Sequence, residues 1–272
     1  MKKVLITGGI GYIGMELCKI YSGLTRNVNV KVIDNNFNSD SVSQLKRWGI
    51  EFEQVDILDK NNLRKSIENA DIVYHLAGVT DVGTTIEDKN PIRDKLVKKV
   101  GEQGTKNILG LLSNKTKIVF PSTHVIFEGL KKVVKNIDEN STPAPLLEYS
   151  KGKVKSENDI IKSKKNYVIL RLGSVYGKSY SSTRLNVMPN LFSKISSYNG
   201  EIKLYSKGNQ LKSLVSVVDV ARSLYFVGEN ENINNEIFNC VNESLKVSDV
   251  ANLCKKINKK ITVIKTNDPV PN

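Results

Sequence analysis

The chain of 272 residues has few of the side chains that build disulfide frameworks or metal centres. Its three cysteines, Cys18, Cys240 and Cys254, are scattered along the sequence, and its only histidines are His75 and His124. An odd number of scattered cysteines argues against a disulfide scaffold and is typical of a reducing compartment. Two isolated histidines do not provide the ligand set of a zinc site. We therefore expect a protein that binds no metal ion.

Long apolar runs are also lacking. No run of about 18 apolar residues, the length that a membrane-spanning helix requires, occurs in the sequence. The first apolar run, residues 4–6, meets glycines too soon for a signal peptide. These features predict a cytoplasmic protein that has no membrane partner.

Acidic residues are outnumbered, since 28 aspartates and glutamates face 41 lysines and arginines and leave a formal net charge of +13. The lysines cluster at residues 131–132, 162–165 and 255–260 without interleaved aromatic residues. Such clusters indicate solvated helix faces rather than a nucleic-acid site, so we expect no nucleic-acid partner. The surplus of positive charge would help to draw an anionic substrate toward a cleft.

Three spaced glycines stand directly after the apolar run of residues 4–6 and before an amphipathic helical pattern. A strand, a glycine turn and a helix present bare backbone amides and a positive helix terminus to a pyrophosphate. The first glycine permits the tight turn, the second lets the phosphates approach, and the third lets the helix lie close to the strand. The pattern predicts a dinucleotide site formed by Gly8, Gly11, Tyr12, Ile13 and Gly14.

A carboxylate follows at the end of the second apolar run, where Asp34 precedes Asn35. At this distance from the glycines, Asp34 would accept hydrogen bonds from both adenosine ribose hydroxyls and repel a 2′-phosphate. No arginine follows within several residues to neutralise such a phosphate. The sequence therefore favours NAD over NADP. The alternative is that Asp34 caps the asparagine-rich loop of residues 35–38.

Strand-like apolar runs alternate with helical patterns as far as Leu172. The runs occupy residues 4–6, 28–33, 52–55, 72–76, 117–120 and 167–172, and the helical patterns residues 11–21, 39–48, 63–68, 92–112 and 149–163. This alternation predicts an α/β fold, a doubly wound parallel sheet of Rossmann type. We expect a dinucleotide-binding domain of residues 1–177, to which residues 212–241 return. Residues 178–211 and 242–272 would form a small substrate-binding lobe.

Hydroxyl groups and a tyrosine-lysine pair mark a catalytic centre. Ser122 and Thr123 end the fifth strand, and Tyr149 precedes Lys153 by four residues, which places both on one helix face. Bringing the pKa of a phenol from near 10 to neutrality requires about 4 kcal/mol of preference for the phenolate. An adjacent ammonium and a cationic nicotinamide ring supply this preference in a dry site. Thr123, or its neighbour Ser122, would hold the substrate oxygen. The alternative is an exposed tyrosine that stacks on a lysine stem.

The fourth strand ends in Leu76-Ala77-Gly78, and the small residues at this point would let the backbone lie beside the dinucleotide. His75, directly before them, is expected to pack beneath the sheet. His124 follows the catalytic hydroxyls, and two alternatives remain open for it: it shuttles protons, or it caps the loop.

Together these residues resemble the extended short-chain dehydrogenase/reductase family, in particular its NAD-dependent nucleotide-sugar epimerases and dehydratases. The resemblance also covers Asp56-Ile57 and residues 104–107, 171–177 and 217–221. It implies that Asp56 and Ile57 meet the adenine. Aligning residues 126–129 with the family's usual segment favours Thr123 as the catalytic hydroxyl, whereas aligning on Val125 would select Ser122. The resemblance further implies a homodimer, in which the helices of residues 92–112 and 149–163 pair as a four-helix bundle.

The chain departs from that family at several positions. Gly101 and Ser174 stand where the family has asparagines, and Lys212 stands where an arginine often grips the diphosphate. Sugar dehydratases carry an Asp-Glu pair where this chain has His124 and Val125, so elimination chemistry is disfavoured. The chain is also shorter than is usual for the family, and a reduced substrate lobe is expected.

The sequence thus predicts an NAD-dependent epimerase that transiently oxidises a carbinol of a nucleotide sugar, with a uridine diphosphate as the expected nucleotide. Residues expected to bind the substrate are Thr80, Ser174, Arg184 and Lys212, although the two cations could instead be solvated surface charges. One alternative function is that of an NAD(P)H-dependent sugar dehydrogenase or ketoreductase. Another is that of a dinucleotide-binding sensor without turnover.

Overall fold

The structure is a computed structural model that describes residues 1–24, 26–80, 90–132 and 134–268. Its strands are β1 (Lys2–Thr7), β2 (Val28–Asp34), β3 (Glu51–Gln54), β4 (Ile72–His75), β5 (Lys117–Thr123), β6 (Asn166–Leu172), β7 (Ser174–Tyr176), β8 (Glu201–Leu204), β9 (Leu211–Ser216), β10 (Glu236–Cys240), β11 (Glu243–Lys246) and β12 (Thr262–Lys265). Its α-helices are α1 (Tyr12–Tyr21), α2 (Ser39–Arg47), α3 (Lys60–Ile67), α4 (Pro91–Lys98), α5 (Thr105–Leu111), α6 (Glu148–Lys162), α7 (Met188–Ser197), α8 (Val217–Glu229) and α9 (Val247–Ile257).

A seven-stranded sheet in the order β10-β6-β5-β4-β1-β2-β3 organises the larger part of the described chain. Every neighbouring pair in it runs parallel. Successive strand residues face opposite sides, so Ile6 packs toward the core that includes α1 and α8, and Leu5 packs toward the core that includes α3, α5 and α6. The predicted α/β fold with a doubly wound parallel sheet is confirmed.

Short polar side chains fix where several helices begin. The side chains of Asn38, Asp59 and Asn90 accept backbone N–H groups at the starts of α2, α3 and α4. Ser216 does the same for α8. These bonds satisfy amides that have no partner within the helix. Because Ser216 ends β9 and caps α8, the chain passes from strand to helix there without a loop.

A smaller core lies apart from the two faces of the large sheet. It is built under two short sheets, β11-β9-β7 and β12-β8, from Phe192, Ile202, Leu204, Leu214, Val250, Ala251 and Ile261. Leu214 belongs to this small core, whereas the next residue, Val215, belongs to a core of the large sheet. Strand β9 therefore lies between the two units, and the division at residues 177 and 211 stays a prediction.

The single helix expected over residues 92–112 is interrupted. A π-helical segment, Lys99–Gly104, separates α4 from α5. A Cβ on Gly104 would lie 2.3 Å from Cδ1 of Ile57, so the chain approaches this side chain closely at that point. The Thr105 hydroxyl donates to the carbonyl of Gly101 at 2.6 Å. A wider helical turn of this kind is common at functional sites.

Across the described ranges, no helix combines the length and the apolar character that crossing a bilayer requires. Within the same ranges, no three or more histidine, cysteine, aspartate or glutamate side chains gather in a way that could hold a metal ion.

Candidate active site

The glycine turn after β1 is shaped by backbone contacts that leave no room for side chains. Gly8 has a φ of +68°, and a Cβ on it would lie 2.6 Å from the backbone nitrogen of Ala77. A Cβ on Gly14 would lie 2.6 Å from the Cα of Gly9, so the close approach expected for Gly14 is made to the turn itself rather than to the strand. Gly11 is the N-cap of α1 and has no side chain with which to occupy the first amides of the helix. The turn therefore offers a bare helix N-terminus to an anion.

Asp34 ends β2 beside this turn. Its carboxylate accepts a hydrogen bond from the amide of Asn36 at 3.0 Å. Burial raises the pKa of Asp34, and hydrogen bonds from the amides of Asn36, Ile10 and Asn35 oppose that effect. The bond to Asn36 corresponds to the alternative role of Asp34, that of capping the asparagine-rich loop. The bond from Ile10 places the same carboxylate next to the glycine turn, as a ribose-binding residue requires.

Asp56 and Ile57 follow β3 and differ in their surroundings. The Asp56 carboxylate accepts a hydrogen bond from the amide of Leu58 at 2.8 Å. The Ile57 side chain is 4% exposed and packs in the core, and its carbonyl accepts the side-chain amide of Asn107 at 2.9 Å. A contact of Ile57 with adenine therefore stays a prediction, and its side chain serves the core.

His75 lies in the core, next to the backbone that faces the dinucleotide turn. Its Nδ1 is 3.1 Å from the hydroxyl of Thr7, and its Nε2 is 3.1 Å from the hydroxyl of Thr105. The Thr7 hydroxyl also accepts the amide of Ala77 at 3.1 Å. Burial lowers the pKa of His75 to about 3, and the charge of Lys153 adds to that effect. A neutral, fully engaged imidazole positions the end of β4, which agrees with the packing role expected for it.

Tyr149 and Lys153 lie one turn apart on α6. The Lys153 ammonium donates to the carbonyl of Pro121 at 2.8 Å and lies 5.9 Å from the centre of the Tyr149 ring. It also lies 4.4 Å from the centre of the Phe120 ring. Burial lowers the pKa of Lys153 to about 8, against the opposing charge of Glu157. Burial raises the pKa of Tyr149 to about 12, against the opposing charge of Arg184.

The two candidate hydroxyls at the end of β5 have different partners. The Thr123 hydroxyl oxygen accepts the amide of Val125 at 3.3 Å, which leaves its proton free for donation. The Ser122 hydroxyl is buried and has no hydrogen-bond partner among the residues that the structure describes. Residues at i and i+2 of a strand share a face, so Ser122 shares the face of Phe120, on which Lys153 lies. Both hydroxyls remain candidates for holding the substrate oxygen.

Charged side chains of the later segments act electrostatically on Tyr149 and His124. Arg184 donates to the carbonyl of Thr80 at 3.4 Å, and its charge reaches the Tyr149 phenol. Lys212 lies on β9, and burial together with its charge lowers the pKa of His124 to about 4. Ser174 begins β7 and pairs with Leu214 of the same three-stranded sheet. Four residues expected to bind the substrate therefore lie on segments that converge on the end of the large sheet.

Two further sets of contacts were not predicted from the sequence. The carboxylate of Glu157 holds the guanidinium of Arg171 at 2.9 and 3.2 Å in a buried pair. The loop after β7 docks on α1, since the Tyr12 hydroxyl donates to the carbonyl of Gly177 at 2.6 Å and Glu16 accepts the amide of Tyr180 at 3.0 Å. The sequence did contain a signal for this docking. Glu16 stands among the apolar positions of α1, and a carboxylate that is buried there needs a hydrogen-bond partner from another segment.

This fold and this site define an enzyme of the doubly wound, dinucleotide-dependent class, in which a tyrosine and a lysine share a helix face beside a glycine turn. The chain belongs to the NAD dependent epimerase/dehydratase family, whose sequence pattern it matches over residues 4–240. The predicted family and its cofactor NAD are confirmed by this match.

Similar proteins include a UDP-N-acetyl-alpha-D-glucosaminuronate decarboxylase of Bacillus cytotoxicus, 26% identical over 92% of this chain and 78% of that protein. A putative UDP-glucose 4-epimerase of Methanocaldococcus jannaschii is 28% identical over 81% of this chain and 71% of its own length. A solved UDP-glucuronic acid 4-epimerase of Bacillus cereus, in complex with UDP-glucuronic acid and NAD, superposes with a TM-score of 0.82 at 23% identity, over 99% of this chain and 87% of that one.

The residues of the glycine turn fit the cofactor of the family. Any side chain at Gly8 or Gly14 would collide with backbone, so the turn keeps the bare shape that a pyrophosphate needs. Asp34 places a carboxylate beside the turn, where it would meet the ribose, and the small residues Ala77 and Gly78 line the cavity that also contains Tyr149.

Proposed function

We propose that this protein is an NAD-dependent epimerase that acts on a nucleotide sugar, with a uridine diphosphate as its nucleotide. The observation that carries the proposal is the placement of Tyr149 and Lys153 in one cavity with Ala77 and Gly78, beside the glycine turn. The UDP-sugar enzymes among the similar proteins support the substrate class.

Tyr149 acts as the acid and base for the sugar hydroxyl. Its phenolate takes the hydroxyl proton as the carbinol becomes a ketone, and its phenol returns a proton when the ketone is reduced. Bound NAD supplies the hydride acceptor for the first half and the hydride donor for the second. Because burial holds the pKa of Tyr149 at about 12 in the chain alone, cationic groups nearby must favour its phenolate. Arg184 already lowers the pKa of Tyr149 in the chain alone, and we propose that the Lys153 ammonium on the same helix face and the cationic ring of bound NAD add to this effect.

Thr123, or its neighbour Ser122, holds the sugar oxygen by a hydrogen bond. The variants Ser122→Ala and Thr123→Val separate these two assignments. Only removal of the hydroxyl that contacts the substrate should lower the turnover rate by about 10-fold or more. A loss of turnover confined to Ser122→Ala would assign this role to Ser122 instead of Thr123.

Arg184 and Lys212 are the cations that bind the diphosphate. Arginine grips phosphate oxygens with a planar fork, whereas lysine offers a single point charge. We therefore expect Arg184 to contribute more to substrate affinity than Lys212. Thr80 and Ser174 complete the substrate contacts from the same end of the sheet.

The direct test mixes purified protein and NAD with UDP-glucose, UDP-galactose and their N-acetyl and uronic-acid relatives. An epimerase produces the second isomer without net NADH, because the cofactor is regenerated in each cycle. Net absorbance of NADH in proportion to the product would instead identify a sugar dehydrogenase. If no nucleotide sugar changes and none raises the melting temperature, the substrate class is wrong.

We further propose a cytoplasmic homodimer formed through α4 and α6. Ile92, Leu96 and Ile161 of these helices expose 84%, 48% and 39% of their surface, which supports an apolar contact between copies. The three free cysteines suit a reducing compartment. A monomeric mass by light scattering at micromolar concentration would contradict the dimer.

A further inference from the structure

The segment between the catalytic hydroxyls and the catalytic helix closes on itself. After β5 the chain makes one 3₁₀ turn, His124–Phe127, and Glu128 and Gly129 follow. The amide of Gly129 donates to the carbonyl of Ala144 at 2.8 Å, and the amide of Ala144 donates to the carbonyl of Ile126 at 2.8 Å. These two bonds bring Glu128 next to the residues that precede α6.

A single carboxylate oxygen of Glu128 gathers three donors at the start of α6. It accepts the amide of Leu146 at 3.0 Å, the amide of Leu147 at 2.8 Å and the hydroxyl of Ser150. Leu147 is the N-cap of the helix and has no side chain that could accept a hydrogen bond. A helix N-terminus leaves its first amides unsatisfied and favours a nearby negative charge. Glu128 therefore satisfies the amide of the N-cap residue and that of the residue before it, and it places a negative charge at the N-terminus of α6.

Tyr149 stands inside this arrangement. It is the second residue of α6, between Leu147 and Ser150, and both of these neighbours are bonded to Glu128. At the other end, Glu128 lies five residues after Thr123 and follows the turn that Thr123 caps. One carboxylate thus connects the segment that carries the hydroxyls to the helical turn that carries the phenol.

We propose that Glu128 is a positioning residue that sets the place of Tyr149 relative to Thr123 and Ser122. The inference rests on the proposed role of Tyr149 as acid and base. Glu128 itself does not contact the reacting atoms. Because proton transfer requires hydrogen-bond distance, a small displacement of the first turn of α6 is expected to reduce turnover without changing the cofactor site.

The test reads the phenol directly and does not need a substrate. The protein contains 10 tyrosines, so we would label it with 3-fluorotyrosine, load it with NAD and identify the Tyr149 fluorine resonance by its loss in Tyr149→Phe. In Glu128→Ala we expect that resonance to move and its titration midpoint to shift toward the value of free fluorotyrosine. The reason is that a released turn is more hydrated, so burial and the neighbouring charges act less strongly on the phenol of Tyr149.

Two variants separate positioning from a general loss of stability. Glu128→Gln keeps an acceptor oxygen, so it should restore the resonance and the midpoint. Glu148→Gln removes a carboxylate of the same helical turn that instead pairs with Lys151 at 3.0 Å, so it should change neither. If Glu128→Ala does not fold, Ser150→Ala, which removes one of the three donors, should show a smaller shift in the same direction.

The proposal is overturned if Glu128→Ala lowers the melting temperature but leaves the Tyr149 resonance and midpoint in place, or if Glu128→Gln fails to restore them. With a nucleotide sugar that turns over, kcat in Glu128→Ala should fall by about 10- to 100-fold while KM stays within about twofold. Absence of turnover by the unaltered protein would reject the proposed function, and the fluorine measurement would still decide the role of Glu128.

Discussion

The glycine turn is made of backbone, whereas the proposed substrate region is made of long charged side chains. Gly8 and Gly14 work because they lack a Cβ, and their neighbours are main-chain atoms at fixed distances. Arg184 and Lys212 act on Tyr149 and His124 through charge, from segments far along the chain. The first site tolerates almost no change of residue, and the second can change its residues while the fold is kept. The same fold can therefore hold one cofactor and accept different substrates.

The largest effect is expected where the two regions meet, at Tyr149. Tyr149→Phe removes the acid and base and keeps the ring, so turnover should fall by about 100-fold or more while NAD still binds. Nucleotide-sugar interconversion and NAD titration measure the two effects separately. Tyr198→Phe is a matched control, because Tyr198 is 77% exposed. Unchanged turnover in Tyr149→Phe would favour the dinucleotide-binding sensor.

A methyl group in the glycine turn should reduce both the stability of the protein and its affinity for NAD. In Gly8→Ala, the φ of +68° and the overlap with Ala77 should lower the free energy of unfolding by about 2 kcal/mol or more and weaken NAD binding. Gly110→Ala is the control, since its methyl group points into space that no described residue occupies within 4 Å. Chemical denaturation and NAD titration compare the two variants. Equal behaviour would mean that the turn is not sterically fixed.

The opposite pattern is expected in the substrate region. Arg184→Ala should raise the KM for a nucleotide sugar by about 10-fold, with a smaller increase in Lys212→Ala, because each loses a charged contact to phosphate. NAD affinity should stay unchanged in both. Lys194→Ala removes an exposed lysine of α7 and serves as control. If both variants keep full affinity for the substrate, the diphosphate lies elsewhere.

Asp34 offers a sharper measurement of cofactor preference. Asp34→Ala removes two hydrogen bonds to the ribose and the repulsion of a 2′-phosphate, so NAD affinity should fall by about 10-fold or more and the preference over NADP should narrow. Isothermal titration calorimetry with NAD and with NADP measures the two affinities and therefore the preference. Comparable affinities of the unaltered protein for NAD and NADP would show that Asp34 does not contact the ribose.

The smallest expected effect is the pH dependence of stability. It compares His75, which lies next to the glycine turn, with His124, which lies near Lys212. His75 and His124 have pKa values lowered to about 3 and about 4, below the ordinary 6.5, so the folded state keeps both neutral. Their contribution to stability is complete above about pH 6.5 and is lost as pH falls toward these values, by at most about 1.4 kcal/mol per pH unit for each histidine.

Denaturation between pH 7.5 and 5.5 measures this dependence, because ordinary carboxylates do not titrate in that range. His75→Gln and His124→Gln should each reduce the slope. We expect the two variants to reduce the slope by about the same amount, because both folded-state pKa values lie well below pH 5.5 and the slope in this range comes from the unfolded histidines. A slope that neither variant changes would contradict the neutral state of both histidines.

The sequence by itself was enough to predict the parallel sheet, the glycine turn after β1, the position of Asp34 at the end of β2 and the placement of Tyr149 and Lys153 on one helix face. These features depend on local patterns, since apolar periodicity predicts strands and helices and an i, i+4 spacing places two residues on one helix face. The prediction of helix α6 over residues 149–163 differs from the observed Glu148–Lys162 by one residue at each end. The family match supports the same assignment of fold and cofactor.

Only the tertiary structure decided the rest. The π-helical segment that interrupts residues 92–112 ends where Gly104 approaches Ile57, across more than 40 residues of sequence. The bonds of Glu128 to the start of α6 and the reach of Arg184 to Tyr149 likewise join distant segments. Periodicity and spacing describe neighbours along the chain, and contacts between side chains of distant segments form only when the fold has brought them together.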